Sequence, residues 1–298
     1  MSLSPAPLSP RRPAARWTAL GLAATLGLAP AAHAQEQEPG SCELEAAAAA
    51  PPARVDAPTR APQQHGLRLL LNIPARRLEV FEGNERTRSY PVAVGTPAYP
   101  TPTGEFAISL VVWNPWWYPP PSDWARNEKP VPPGPDNPMG RVKLRFDDLY
   151  YIHGTPDPGS IGRAASHGCV RMSNRDVVEL ARLVHRYASP DLGPARRERI
   201  ASDRRNTHSV PLALPVPLEV VYRLVEVRAG RLEIHPDIYR RARRPLDEQV
   251  AEALARAGYD PAALDPEKLG ALLRQAARGS VSAPIHELFR EPPAPIGG

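Results

Sequence analysis

Cysteine is scarce in this chain: two residues in 298, Cys42 and Cys169. Two cysteines allow one disulfide at most, and no further Cys/His cluster of zinc-binding spacing accompanies them. Long apolar runs are missing too. Away from the N-terminus no uninterrupted stretch approaches the roughly 20 residues of a membrane span, and mean hydropathy is −0.39. These absences argue against a polytopic membrane protein. No internal repeat is evident, and no dedicated basic tract. Arg196, Arg197, Arg199, Arg204 and Arg205 are interleaved with Glu198 and Asp203, as on a solvated face, so nucleic acid is not an expected partner. Proline, by contrast, is abundant: 39 residues, about 13% against a usual ~5%. Such a chain favours strands and irregular loops over an all-helical body.

The N-terminus reads as an export signal. Arg11, Arg12 and Arg16 form a positive segment, an apolar stretch runs from Trp17 to about Pro30, and Ala32-His33-Ala34 is a small-x-small cleavage pattern. Removing residues 1–34 takes away three arginines and no acids, so the formal charge falls from +5 to +2 (5 − 3). The basic balance is therefore partly a property of the signal, and the small remainder suits an anionic polymer as neighbour. The expected location is the periplasm or cell envelope. Glu38-Pro39-Gly40-Ser41 before Cys42 is not an apolar lipobox, which argues against a lipoprotein. An oxidising compartment permits a Cys42–Cys169 disulfide. Such a bridge would tie a low-complexity tail to the core for little structural gain, so the two cysteines are best considered separately.

Residues 35–64, rich in Ala, Pro, Glu and Gln, read as a disordered linker. Order begins near His65. "LRLLLNI" (67–73), "RLEVF" (77–81), "RTRSYPVAV" (86–94), "PTPTGEFAISLV" (100–111), "VKLRF" (142–146) and "LYYIH" (149–153) are strand-like. Residues 113–140 hold four tryptophans and nine prolines. They read as a long loop that either packs itself down or also lines a cleft. A helix is expected over about 175–187, with Asn174 as its N-cap. Residues 191–210 read as a polar insertion. A hairpin of 218–227 with 231–235, then helices over 246–257 and 266–278, make up a C-terminal appendage at 211–290. The expected fold is mainly β: a domain over 65–190 with one helix after the cysteine, and a small α+β appendage. The appendage either caps the cleft and selects an acceptor or simply stabilises the fold.

Residues 163–174, "RAASHGCVRMSN", raise the chemical question. Cys169 is open to four readings: a small buried thiol, a disulfide partner, a metal ligand or a nucleophile. A nucleophilic thiol needs a base or a positive field. His153 ends a strand and can approach from the side. His167 lies two residues away, on the same face of an extended segment, but not necessarily within bonding range. Gly168 permits a tight turn, and backbone N–H groups there could form an oxyanion hole. Arg171 is placed to hold a carboxylate or brace the loop. His153, His167 and Cys169 are too few for a typical structural zinc site, and no metal is expected.

"YIHGTPDPGSIGRAASHGCVRMSNRDVVEL" resembles the signature of the L,D-transpeptidases with a YkuD-type catalytic domain: a histidine, about a dozen residues, then Ser/Thr-His-Gly-Cys, x-Arg and x-x-Asn. Here His153 precedes Ser166-His167-Gly168-Cys169 by twelve residues, and Arg171 and Asn174 follow. The resemblance extends upstream through "RRLEVFEGNERTRSYPVAVGTPAYPTPTGEF". In "WNPWWYPPP" and "PPGPDNPMG" the chain is similar to the periplasmic ErfK/YbiS-like subgroup. The likeness covers about 66–190, and more faintly 211–236. No LysM-like wall-binding module is seen.

The resemblance implies a β-sandwich-like catalytic domain and a set of roles. Cys169 is the acylated nucleophile. His153 is the base, held by the carbonyl of Gly154. His167 shapes the site near the tetrahedral intermediate. Gly168, with Gly154 and Ser166, serves the oxyanion and orienting functions, together with the Cys169 N–H, and Arg171 binds a stem carboxylate. The implied reaction is attack of Cys169 on the carbonyl of the third residue (diaminopimelate) of a peptidoglycan tetrapeptide stem, release of D-alanine, and transfer of the acyl group to an amine. The product is a 3-3 cross-link or a protein attached to the wall, with an outer-membrane protein as one possible acceptor. No cofactor is implied, and acylation by carbapenems is. Two alternatives stay open: an L,D-carboxypeptidase or amidase that uses water as acceptor, and a non-catalytic wall-binding protein.

Overall fold

The computed structural model describes residues 66–290. The expected signal peptide, the whole of the expected linker over 35–64 and Cys42 lie outside the described residues. The chain begins with β1 (Leu67–Asn72), β2 (Arg77–Glu82) and β3 (Glu85–Pro91), then β4 (Val94–Gly95) and β5 (Gly104–Trp113). After the long loop come β6 (Val142–Arg145), β7 (Tyr151–Thr155), β8 (Ala164–Ser166) and β9 (Val170–Ser173). Helices α1 (Asn174–Ala188) and α2 (Pro194–Ser202) follow, then β10 (His208–Val221), β11 (Val225–Arg228) and β12 (Arg231–Ile234). The C-terminal part adds α3 (Leu246–Arg256), α4 (Pro266–Ala276) and β13 (Val281–Pro284). No helix among the described residues is long and apolar enough to cross a membrane.

Eight strands form one mixed sheet in the order β3-β2-β1-β10-β5-β6-β7-β9. The mainly β expectation holds. β1 is a near-continuous apolar run because it lies inside the sheet, between β2 and β10, and is buried along almost its whole length. The β2–β3 connection is the two-residue turn Gly83-Asn84, with Gly83 at φ +62°, a left-handed conformation that glycine adopts without a Cβ clash. β7 and β9 are parallel neighbours, so the chain between them has to cross over. That crossover carries β8, which pairs in parallel with β4.

Helix α1 covers the sheet. Val177, Leu180, Ala181, Val184 and Ala188 recur at helical spacing, and all are buried in the main core beside Ile152, Val170 and Met172. Its N-cap is Ser173, whose hydroxyl accepts from the Asp176 N–H at 3.1 Å. Asn174 was expected there. It is instead drawn into the sheet: its Oδ1 accepts from the Arg141 N–H at 2.8 Å and its Nδ2 donates to the Thr155 carbonyl at 3.1 Å. A side chain so engaged ties α1 to β6 and β7 and cannot also cap the helix.

Two other expectations are revised. Residues 208–221 form one long strand between β1 and β5, so they complete the main sheet rather than open the appendage. The expected 218–227 strand is thus split: its first part belongs to β10, and β11 with β12 makes the hairpin. Within the stretch read as a polar insertion, Pro194–Ser202 is helical, with Ile200 and Ala201 as its buried contacts. β11, β12 and β13 form a separate three-stranded sheet, and with α3 and α4 they enclose a second core around Leu232, Ile234, Val250, Leu254 and Ile285.

Candidate active site

The parallel β7–β9 pairing places His153 directly opposite Arg171. Residues two apart on a strand share a face, so Cys169, two positions before Arg171, faces the same way as His153. All three line one cleft of about 400 Å³ with Ser166 and His167. The sequence-predicted residues are therefore brought together.

His153 is 5% exposed, and its Nδ1 lies 2.6 Å from the Gly154 carbonyl oxygen. A carbonyl only accepts, so Nδ1 carries the proton and Nε2 presents a lone pair. Burial lowers the His153 pKa to about 4, outweighing the opposing bond to Gly154; the Arg171 and Lys143 charges lower it further. At neutral pH the ring is thus uncharged and able to accept a proton. Gly154 has no room for a side chain: a Cβ there would lie 2.2 Å from Asn174 Oδ1.

Gly168 has φ +110°, and a Cβ on it would lie 2.7 Å from the Tyr150 ring. Glycine is needed for both conformation and space. Its N–H donates to Ser166 Oγ at 3.1 Å, so it is engaged within the turn rather than offered to an oxyanion as expected. The same Ser166 hydroxyl donates to the Cys169 carbonyl. Ser166 thereby clamps the two residues that set the position of the sulfur. From the other side, Thr101 Oγ1 donates to the Gly168 carbonyl at 2.8 Å and accepts from the Gly95 N–H at 2.9 Å.

Cys169 is 5% exposed, with Sγ 3.9 Å from the Leu149 carbonyl oxygen. Its sulfur is held in a disulfide rather than as a free thiol. The chain's other cysteine, Cys42, lies outside the described residues. Treating the cysteines separately was therefore wrong for Cys169.

His167 is half-buried. It stacks on Trp124 with centroids 4.2 Å apart and meets the edge of Tyr99 at 4.7 Å. Burial, and secondarily the Arg171 charge, lower its pKa. Burial lowers the Arg171 pKa, the Asp157 charge opposes that shift, and the guanidinium faces the cleft, where it can meet an anion.

The proline-rich loop does line the cleft: Trp117, Trp124, Glu128, Val131, Asp136 and Met139 are on its wall. It is ordered without regular structure. Asn137 Nδ2 reaches the carbonyls of Pro115, Val131 and Pro132 at 2.9–3.0 Å, and its Oδ1 accepts from the Met139 N–H at 2.8 Å. Trp117, Met139 and Tyr151 then pack around Cys169. The sequence signalled these residues only as aromatics and acids in a long loop. Among the described residues, none after Arg171 is on the wall of this cleft.

Elsewhere Glu226, Glu233 and His235 present ligand atoms within 4.8 Å of one another. Arg77 already donates to both carboxylates, at 2.6 and 2.7 Å, which makes this an ion-pair network between β2 and the smaller sheet.

A cysteine sulfur that reduction would free, a neutral imidazole with an open nitrogen and a guanidinium in one cleft suit acyl transfer from a substrate bearing a carboxylate. Residues 67–204 match the model of the L,D-transpeptidase catalytic domain, YkuD. A putative L,D-transpeptidase YkuD of Bacillus licheniformis is 37% identical over 126 residues, which cover 42% of this chain and 64% of that protein. The probable L,D-transpeptidase YbiS of Escherichia coli is 55% identical over 47 residues, 16% of this chain and 15% of that one. The chain thus spans less than two thirds of the length of these relatives. A solved L,D-transpeptidase from Mycobacterium smegmatis is 20% identical, with a TM-score of 0.32, over 52% of this chain and 58% of the other. Over residues 67–204 the chain is thus similar to the YkuD-type catalytic domain of L,D-transpeptidases.

Proposed function

We propose that the protein is an exported peptidoglycan L,D-transpeptidase that uses Cys169 as nucleophile. The observation that carries the reading is the cleft shared by Cys169, His153 and Arg171. A dithiol reductant, itself oxidised to a disulfide, first reduces the Cys169 disulfide by thiol–disulfide exchange and leaves the Cys169 thiol free. His153 Nε2 takes the thiol proton, and the sulfur attacks the carbonyl of the third stem residue to form a tetrahedral intermediate. Arg171 holds a stem carboxylate, which fixes the carbonyl over the sulfur. The intermediate collapses to a thioester as its C–N bond breaks, and His153 returns the proton to the departing D-alanine nitrogen. An amine then attacks the thioester carbonyl, its proton passes to His153, and the thiolate leaves and is reprotonated. His167, fixed by Trp124 and Tyr99, forms the wall beside the intermediate.

Muropeptide analysis of cells carrying wild-type protein or Cys169→Ala tests the reading. The expected result is loss of 3-3 cross-links or of wall-attached protein in the variant. If cross-links, protein attachment and stem trimming are all the same in both, the reading is wrong. A mass shift on Cys169 after carbapenem treatment of the reduced protein is expected as well, since a strained lactam carbonyl acylates the same thiolate.

A further inference from the structure

The cleft carries opposite charges on two sides. Arg171 comes from the sheet, while Glu128 and Asp136 come from the proline-rich loop. Neither carboxylate has a hydrogen bond or ion pair among the described residues, and both are solvent-exposed. Surface acids are commonly unpaired, so their charge alone says little. What distinguishes these two is the cleft they face. It also contains His153, a 5% exposed imidazole whose Nδ1 is committed to Gly154 and whose Nε2 has no partner among the described residues. A buried ring nitrogen open to the cleft calls for a proton donor there. An attacking amine is such a donor, and at neutral pH it arrives as an ammonium ion.

We infer that Glu128 and Asp136 select a cationic amine as the acyl acceptor in preference to water, an inference that rests on the transpeptidase reading above. The two carboxylates concentrate ammonium-bearing acceptors at the cleft mouth. Arg171 takes the carboxylate of the donor stem on the sheet side, so like charges keep the acceptor off the donor's position. The ammonium loses a proton to solvent as it enters. The free amine then forms the new C–N bond to the thioester carbonyl, its second proton moves to His153 Nε2, and the C–S bond breaks to leave the Cys169 thiolate. That thiolate takes the proton back from His153. Water can replace the amine in the same sequence but gains nothing from the carboxylates. The acidic wall therefore sets the partition between transfer and hydrolysis.

The test uses the reduced full chain, a synthetic tetrapeptide donor and two nucleophiles at neutral pH: a diamino-acid amide, which is cationic, and hydroxylamine, which is uncharged. Products are separated by mass. In Glu128→Gln/Asp136→Asn the KM for the cationic amine is expected to rise on the order of five- to tenfold, the size of two partly screened surface charges. The transfer-to-hydrolysis ratio should fall in step, while the ratio with hydroxylamine moves less than about twofold. Glu128→Asp/Asp136→Glu should restore the preference. Added salt should weaken it in the wild type and leave the neutralised variant insensitive. If transfer to both nucleophiles falls equally, or neither ratio moves while the acyl-enzyme still forms, the acidic wall does not select the acceptor. If the wild-type protein forms no acyl-enzyme at all, the transpeptidase reading falls, and the inference with it.

Discussion

The indole of Trp124 lies face to face with the imidazole of His167, centroids 4.2 Å apart and planes 9° apart. Trp124 is 38% exposed, so it serves the fold little and the cleft wall directly. Aromatic pairs of this kind contribute about 0.5–1.5 kcal/mol beyond their burial. Trp124→Ala should therefore lower kcat/KM by about three- to tenfold with little change in Tm, and Trp124→Phe should recover most of it. A variant that matches the wild type in donor turnover would mean that His167 holds its place without the stack.

The acid limb of activity should report His153. Its pKa is lowered, first by burial and then by the Arg171 and Lys143 charges. A base works only unprotonated. Activity should therefore persist below the ordinary histidine pKa of about 6.5 and be lost as pH falls further toward the His153 value of about 4. Lys143→Met removes one cation that disfavours imidazolium, so it should move the acid limb of kcat/KM upward. A limb in the wild type at or above 6.5, or one that moves downward in the variant, would contradict the assignment. His153→Gln should cost about 10²–10⁴ in kcat, the usual range for a general base.

Cys169 is in a disulfide, and a disulfide sulfur cannot take up an acyl group while the bond lasts. Purified protein assayed without reductant should show almost no turnover, and a thiol reductant should switch it on. With only two cysteines in the chain, Cys42→Ser should be active without any reductant. Full activity of the non-reduced wild type, with its disulfide intact by mass, would show that Cys169 is not the nucleophile.

Much of this site was legible because it is local. Cys169, His167, Gly168 and Arg171 sit within five residues, and their chemistry follows from residue type and spacing. His153 reads as the end of a strand, but it is the central residue of β7, and its register with Arg171 was not legible either, since a parallel pairing depends on a crossover the sequence does not encode locally. β10 was missed because Pro211, Pro215 and Pro217 interrupt its pattern. The sheet accommodates them with a register shift between Pro211 and Val216 in the pairing with β5. Asn174 reads as a cap by composition, and only the approach of Arg141 and Thr155 redirects it. Nothing in the sequence singles out Glu128 and Asp136 within the proline-rich loop. It takes Asn137, bonded to three carbonyls, to bring that loop over the cysteine.

Tyr239 links the segment that follows β12 to the turn that holds Cys169. Its hydroxyl donates to the Gly95 carbonyl at 2.8 Å and accepts from the Thr101 N–H at 3.1 Å. Thr101 is fully buried, and its hydroxyl in turn holds the Gly168 carbonyl. Tyr239→Phe leaves the Thr101 N–H without its acceptor, an omission that costs about 1–3 kcal/mol when the group is buried. The loss should appear as a lower Tm. It should also appear as a kcat reduced several-fold with the donor KM nearly kept, because Tyr239 does not line the cleft and acts only through the Thr101–Gly168 contact. A lower Tm with kcat fully retained would make Tyr239 a packing element alone. In that case Ser166, from the opposite side of the turn, is sufficient to fix the cysteine.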